Sequence, residues 1–531
     1  LICLNATSAH RAVLVVMKEN KFLLIGLALA LCACVSQPAP NSGATLQPAP
    51  DNGHGRIGTP AWFETAIIYQ IFPRSFYDSN GDGIGDLRGM AQKLDYVQSL
   101  GANTIWLNPH YPSDSYHGYD VNDYLSVNPQ FGTLDDFKFL VSEMHTRKMR
   151  LVVDFVANHS GSSHPFFKDA YKNPSSKYTS WYRFADAANT TYDTFFGSQN
   201  LPRWNHENPA VRKYLIDAAL YWLDLGVDGL RFDYVLGLNE VFVREARQAI
   251  KAKKPDAVML GEIWDNGDAI NKYLNWGFDA AFDFPYALTL DGSIDANGDG
   301  VINGQSPAFW LDGSLQAQKD LYPSDAQLVR FVSNHDTNRI ASEVNGDPAR
   351  ERLAAASAFL LPGIPIVYYG EELGMRGSKG SGPFWDEYRR EPMDWYATQT
   401  GAGMTRWFSA PDDFNNPNDG ISVEEEDKNT ASLLSYYRAL GVLRYSFPAL
   451  RSRQFEIVHG GMETDCGEQC LLVYRWVDNQ IILEAFNFSG QPRSFHIQAL
   501  PNGNFVPVIG DMSGNDFSLM PWGVGVFAWN R

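Results

Sequence analysis

Cysteine is scarce. The 531-residue chain carries five, and three of them, Cys3, Cys32 and Cys34, stand near its N-terminal end. The other two, Cys466 and Cys470, flank Gly-Glu-Gln in a polar segment and are spaced for a local disulfide in an oxidising compartment. No second Cys or His pair accompanies them, which sets a zinc site aside. Basic charge is also in short supply, with 43 Lys and Arg against 61 Asp and Glu and a net charge of −18. That balance excludes nucleic acid and an anionic membrane surface as main partners. Long apolar runs are missing as well. Residues 22–31 are apolar, but a membrane-spanning helix needs about 20 such residues.

That short run follows Met17-Lys18-Glu19-Asn20-Lys21, and together they read as a secretory signal over residues 17–34. Residues 1–16 are then an upstream segment outside the natural product. Leu31-Cys32-Ala33-Cys34 is similar to a bacterial lipobox with Cys34 as the lipidated residue; ordinary cleavage near Ala33 is the alternative. Residues 35–60, rich in Pro, Ser, Gly and Asn, read as a flexible tether. The expectation is an exported protein held to the cell envelope only through a lipid at Cys34. Val35 follows that Cys, so the Asp signal for inner-membrane retention is absent and the outer membrane is favoured. Without lipidation at Cys34 the protein would be periplasmic or secreted.

Aromatics are plentiful, 13% of the chain with 14 Trp and 25 Tyr. Most are expected to fill a large core, and some suit stacking on flat apolar faces. From Ala61 onward β-prone runs alternate with helical patterns. The runs fall at 66–72, 104–108, 150–156, 229–233, 258–264, 280–284, 328–333 and 364–369. Several are apolar nearly throughout, as in strands covered on both faces. Asn208-Pro209 marks one helix start, and Thr133-Leu134-Asp135-Asp136 reads as a capping box. A helix is expected over 349–361. This alternation predicts a parallel α/β architecture, a (β/α)₈ barrel over 61–440. Residues 158–207 are too many for a structureless loop and read as a subdomain inserted after the third strand. Residues 441–531 read as a C-terminal antiparallel β-sandwich.

Three of the β-prone runs lead into carboxylates: Gly229-Leu-Arg231-Phe-Asp233, Gly261-Glu262-Ile-Trp264 and Phe331-Val-Ser-Asn334-His335-Asp336. The intervals are 262 − 233 = 29 and 336 − 262 = 74 residues, close to one and a little over two strand-helix units of about 30. Strand ends of such a barrel converge on one face, and converging carboxylates are what glycosidic cleavage requires. With Asp154-Phe-Val-Ala-Asn158-His159, His117-Gly-Tyr119-Asp120 and Tyr368-Tyr-Gly-Glu371-Glu372, these segments resemble the α-amylase family, glycoside hydrolase family 13, in order and over nearly the whole length from Ala61.

The resemblance implies a retaining hydrolase of starch-type α-1,4-linked glucans. Asp233 would be the nucleophile, Glu262 the acid/base and Asp336 the transition-state stabiliser. Arg231 would keep Asp233 ionised, and its position two residues earlier puts both on one side of the strand. His117, Asp120, His159 and His335 would bond the sugar, with Tyr119 stacked on it. A zinc site built from the histidines is the rival. Asp78, Asn80, Asp82 and Asp86, with the Ile84 carbonyl, alternate as in an EF-hand loop and predict structural Ca²⁺, although Gly89 stands where the bidentate Glu belongs. Asp295-Ala-Asn297-Gly-Asp299 repeats the pattern, and a further calcium site would involve Asn158.

The chain also departs from the family's pattern. Leu236 and Gly237 replace a Lys-His pair common beyond the nucleophile, and Tyr234 directly follows Asp233. Segment 201–205 resembles the marker motif that separates subfamilies but fits neither the oligo-1,6-glucosidase nor the neopullulanase form, and segment 386–395 resembles members intermediate between those groups. The open alternatives are an exo-acting α-glucosidase, an oligo-1,6-glucosidase, a glucan transglycosylase and, remotely, a non-catalytic glycan-binding protein. A monomer is expected.

Overall fold

Strand and helix alternate until the sheet closes on itself. The computed structural model describes residues 58–293, 307–381, 384–408, 413–458, 463–464, 466–496 and 504–530. Eight parallel strands form the closed barrel, each paired with the next and the last with the first. They are β1 (Ile68–Ile71), β2 (Thr104–Leu107), β3 (Arg150–Phe155), β4 (Gly229–Phe232), β5 (Val258–Gly261), β6 (Ala280–Phe282), β7 (Gln327–Arg330) and β8 (Ile364–Tyr368). None carries an exposed residue, which is why their sequences are apolar almost throughout.

Seven of the expected runs contain their strands and the run 328–333 misses only Gln327 at the start of β7, but β4, β5 and β7 stop before the carboxylates. The last ladder bonds still pin two of them: Asp233 N–H donates to Phe155 O at 3.1 Å and Glu262 N–H to Phe232 O at 3.0 Å. Beyond that point the backbone leaves the sheet, and Tyr234 adopts a left-handed φ of 41°.

Period-two alternation sorts the barrel interior into layers. Ile68, Trp106, Val258, Leu260, Phe282, Val329 and Ile366 fill its lower part as one apolar cluster. Asp154 stands beside Arg231 in the β3–β4 register, so the layer above is polar. The expected helix signals hold. Thr133 and Asp136 form a reciprocal capping box on Leu134–Thr146. Asn208 caps Pro209–Asp224 by accepting the Ala210 N–H. The helix expected over 349–361 is Pro348–Leu360, capped by Asp347.

Residues after β3 form a small body with the helix Pro165–Ala170 and isolated bridges, including His159–Arg203 and Tyr182–Trp204. Aromatic packing replaces regular sheet there. Phe166 stacks on Tyr178 at 4.1 Å and Tyr182 on Trp204 at 4.8 Å between centroids.

The chain's C-terminal part has one sheet of order β14-β16-β12-β11-β9 and another of order β10-β13-β15. These are β9 (Phe455–Ile457), β10 (Glu463–Thr464), β11 (Cys470–Val477), β12 (Gln480–Asn487), β13 (Arg493–His496), β14 (Asn504–Ile509), β15 (Asp516–Leu519) and β16 (Val524–Asn530). Cys466 and Cys470 are joined as a disulfide. The last barrel-side helix, Leu433–Ser446, runs through position 440. Gly441 does not end it; a Cβ there would lie 2.3 Å from the Leu100 carbonyl, so this glycine serves close packing. The export segment, Cys34 and the 295–303 motif lie outside the described residues. Among those described, no helix is long and apolar enough to cross a membrane.

Candidate active site

One guanidinium organises the C-terminal mouth of the barrel. Arg231, buried on β4, places Nη1 2.7 Å from Asp154 Oδ1 and 2.9 Å from Asp233 Oδ1, and Nη2 2.7 Å from Glu262 Oε1. Its plane lies over Trp106, with the guanidinium carbon 5.0 Å from the ring centroid. Three carboxylates around one cation leave excess negative charge in a buried site. Burial first, then the charge of Glu262, pushes Asp233 well above the ordinary aspartate range, against the pull of Arg231. Burial also raises Glu262 to about 7, opposed by Arg231 and by the Tyr234 N–H, which donates to its Oε2 at 2.7 Å. Arg231 contacts Asp233 as expected, and its positive charge is shared with Asp154 and Glu262, so the three carboxylates compete for it.

A chain of hydrogen bonds supports this cluster from the β1–β2 side. Gln70 Nε2 lies 2.9 Å from both Asn108 Oδ1 and His335 Nδ1. An amide N–H can only donate, so His335 Nδ1 is the acceptor and its proton sits on Nε2. That nitrogen is 2.5 Å from Tyr119 Oη and 3.0 Å from Asp336 Oδ2. Tyr119 in turn donates to Asp154 Oδ2 at 3.1 Å. Burial holds His335 well below the usual histidine range, so it is neutral and keeps this tautomer.

Asp336 sits just past β7 and is the more exposed partner, its side chain 28% accessible. Arg390 Nη2 contacts its Oδ1 at 3.0 Å, and Arg389 Nη1 donates to its carbonyl at 2.8 Å. Arg390 also donates to Tyr116 Oη and to the His335 carbonyl.

The remaining expected residues divide. His117 and Tyr119 lie at the rim, their rings 6.0 Å apart and nearly parallel, and burial lowers the His117 pKa. Asp120 is turned into its own loop, where Ser113 and Ser115 hydroxyls and the Asp114 and Ser115 N–H groups donate to it. His159 is held at about 3 by burial. Its Nδ1 receives Asn158 Nδ2 at 3.0 Å, its Nε2 faces the Tyr119 carbonyl at 3.2 Å, and its ring stacks on Phe195. Both polar ends are thus occupied by protein, so Asp120 and His159 shape the rim through their neighbours. The rival zinc reading meets histidine nitrogens already engaged by protein: His117 Nδ1 accepts the Tyr119 N–H, and both ring nitrogens of His159 and of His335 have protein partners.

On the Glu262 side the wall is aromatic. Phe195 and Phe196 lie 4.7 and 5.4 Å from Tyr234 between centroids. Beneath it, Arg203 Nε donates to Asn158 Oδ1 and Nη2 to the Gly237 carbonyl, both at 3.2 Å. A guanidinium therefore occupies the side of Asn158 where a calcium site was expected.

Residues 70–452 match the family model for the α-amylase catalytic domain. The chain belongs to the α-amylase family. It is 34% identical over 417 residues to alpha-amylase 3 of Dictyoglomus thermophilum, covering 74% of this chain and 80% of that one. With neopullulanase 2 of Thermoactinomyces vulgaris it shares 32% over 381 residues, 66% of this chain and 62% of the relative. The crystal structure of an α-amylase from H. orenii superposes with a TM-score of 0.75 at 31% identity, covering 87% of this chain and 99% of that one. As an α-amylase family member the protein is a glycoside hydrolase of α-glucans.

The segment after β1 curls as its glycines predict, with Gly81 at φ 85° and Gly83 at φ 92°. Asp78 accepts the N–H groups of Asn80, Gly81 and Gly83; Asp82 accepts that of Ile84; Asp86 accepts those of Ser79 and Gly89. By type, three carboxylates, an amide and a carbonyl are the hard-oxygen donors Ca²⁺ takes, although among the described residues no three such side chains are gathered around one point. The missing Glu has a steric cause. A Cβ on Gly89 would lie 2.0 Å from the Tyr77 carbonyl, so no side chain fits.

Sequence reading missed several members of this α-amylase family site: Gln70, Asn108, Asp154 and Arg390, and the Phe195–Phe196 wall. Asp154 and Arg390 stood inside recognised segments, but nothing in sequence spacing says that either would reach Arg231 or Asp336. Gln70, one polar residue in an otherwise apolar β1, was the available signal.

Proposed function

We propose that the protein is a retaining hydrolase of α-1,4-linked maltooligosaccharides working by double displacement. The observation that carries this reading is the shared contact of Asp233 and Glu262 with one guanidinium. Both carboxyls are gathered beside one cation, which suits the close pair of a retaining enzyme, roughly 5–5.5 Å, better than the wider inverting pair of about 6.5–9.5 Å. Asp233 attacks the anomeric carbon as Glu262 gives its proton to the departing glycosidic oxygen. Glu262 then takes a proton from water, whose oxygen attacks the same carbon and releases Asp233. Asp336, steadied by Arg390, accepts sugar hydroxyl bonds that strengthen as the ring becomes cationic. His117, Tyr119 and neutral His335 line the cleaved sugar, while Asp120 and His159 hold the rim.

Transfer to an acceptor sugar is a second reading, favoured by the aromatic wall of Phe195, Phe196 and Tyr234 on the leaving side. Maltoheptaose blocked at its non-reducing end, run beside the unblocked sugar and isomaltotriose, tests both. Mid-sized fragments from the blocked chain support endo α-1,4 hydrolysis, and products longer than the substrate add transfer. A resistant blocked chain, with glucose released from the others, overturns the proposal in favour of an exo-acting or α-1,6-acting glucosidase.

The donor set supports Ca²⁺ at Asp78, Asn80, Asp82, Asp86 and the Ile84 carbonyl, where it would brace the loop after β1. The lipobox-like segment supports envelope anchoring at Cys34. Cys34→Ala should move the protein from the membrane to the soluble fraction of cells, and unchanged fractionation would exclude the anchor.

A further inference from the structure

We infer that Tyr234 is a positioning residue for Glu262: its left-handed turn, wedged by Phe195 and Phe196 of the inserted body, aims a peptide N–H at the carboxyl. The inference rests on the reading of Glu262 as the acid/base. Tyr234 has φ 41° and Phe196 φ 46°. Left-handed backbone is costly for an aromatic residue and persists only where the surroundings hold it. Here the two strained residues face each other across the seam between β4 and the inserted body. Their rings meet at 5.4 Å between centroids, and Phe195 completes the group at 4.7 Å from Tyr234 and 4.5 Å from Phe196. Phe195 is itself anchored: its N–H donates to the Leu201 carbonyl and its carbonyl accepts the Ser198 N–H, each at 2.9 Å. Room for the Tyr234 ring exists because position 237 is glycine. A Cβ there would lie 3.0 Å from Tyr234 Cδ1 and 2.0 Å from Asn158 Oδ1. The Gly237 N–H closes the turn on the Tyr234 carbonyl at 3.0 Å.

The turn delivers two N–H groups to Glu262. Tyr234 N–H donates to Oε2 at 2.7 Å, and Val235 N–H donates to the Glu262 carbonyl at 3.0 Å. Arg231 Nη2 holds the other carboxyl oxygen, Oε1, at 2.7 Å. The carboxyl is thus gripped by a side chain of β4 on one oxygen and by the backbone just past β4 on the other. Burial and the charges of Asp336, Asp154 and Asp233 favour its protonated form, whereas Arg231 and the Tyr234 N–H favour the ionised one. Through Tyr234 the inserted body reaches into this balance, although its own side chains stop at the aromatic wall.

The test reads the pH dependence of kcat/KM on maltoheptaose for the unmodified protein, Phe196→Ala, Tyr234→Ala and Tyr234→Gly. Phe196 is 81% exposed, so its truncation leaves the core intact. The two alanine variants release the turn and should move the alkaline limb up by about 0.5–1 unit, part of the roughly 1–2 units that a hydrogen bond to a charged group contributes. Tyr234→Gly, which adopts a left-handed φ without a ring, should keep the limb where the unmodified protein has it. A lost sugar contact would instead lower kcat/KM equally at every pH. A limb unmoved in either alanine variant, or moved as far in Tyr234→Gly as in Tyr234→Ala, would overturn the inference. If the limb survives Glu262→Gln, the acid/base reading fails by itself. Carboxyl-carbon NMR titration of Glu262 in the same variants then decides: a shift in the alanine variants alone upholds the turn's role, and a shift in neither overturns it.

Discussion

At the scale of single residues the site is a problem of distributing one positive charge. Arg231 serves Asp154, Asp233 and Glu262 together, so the cluster keeps a proton to higher pH than isolated carboxyls do. An acid catalyst must be protonated to act. Glu262, raised to about 7, supplies that form below this pH and loses it above, so kcat/KM should fall on the alkaline side with an apparent pKa near 7. Glu262→Gln should cut kcat about 10²–10⁴-fold and abolish that alkaline limb on a substrate whose leaving group departs without a proton. A limb that survives the substitution would assign it to another group. Asp233, Glu262 and Asp336 were legible in sequence because each follows a strand-like run at a strand-helix interval. Asp154 was not legible as their partner, because a buried Asp in β3 acquires that role only through the β3–β4 register.

At the scale of elements the strands were readable because burial on both faces leaves an apolar run, and their ends were not, because carboxylates just past the ladder look like its continuation. The loop after β1 gives the sharpest element-level prediction. Its twelfth position lacks Glu for want of space, with a Cβ on Gly89 meeting the Tyr77 carbonyl at 2.0 Å. Gly89→Glu, which completes the EF-hand pattern on paper, should lower Tm, by a destabilisation of about 1–3 kcal/mol, without tightening Ca²⁺. Differential scanning calorimetry with and without Ca²⁺ checks this, and a rise in Tm would show that the loop opens to admit the side chain. The inserted body after β3 was recognised only by its length. Its aromatic packing has no periodicity to read, and the boundary expected at 440 falls inside the helix Leu433–Ser446, where Gly441 serves close packing.

At the scale of the whole molecule, buried carboxyls set the dependence of stability on pH. Burial raises Glu351, Glu391 and Asp394 to about 7 and Glu371, Glu426 and Glu484 to about 8. Each folded pKa lies above its unfolded value, so the folded state holds more protons at neutral pH, and this contribution is lost as pH rises through 7 to 8. His110 and His159, at about 3, and His164 and His206, at about 4, work the other way, but only as pH falls below the unfolded histidine value. Between about pH 6.5 and 8.5 the carboxyls act without that opposition, and Tm should fall across that window; a flat or rising profile would contradict their burial. Chelation should separate two regions of the molecule. Removing Ca²⁺ should lower Tm through the loop after β1, by an amount that depends on the free ion, and a Tm indifferent to chelator would argue against calcium there. The seam between barrel and inserted body obeys another law. Arg203 reaches Asn158 through a hydrogen bond within one chain, so its local concentration is set by covalent connection and not by the surroundings. Dilution or dialysis cannot carry it away, as either could carry away a bound ion.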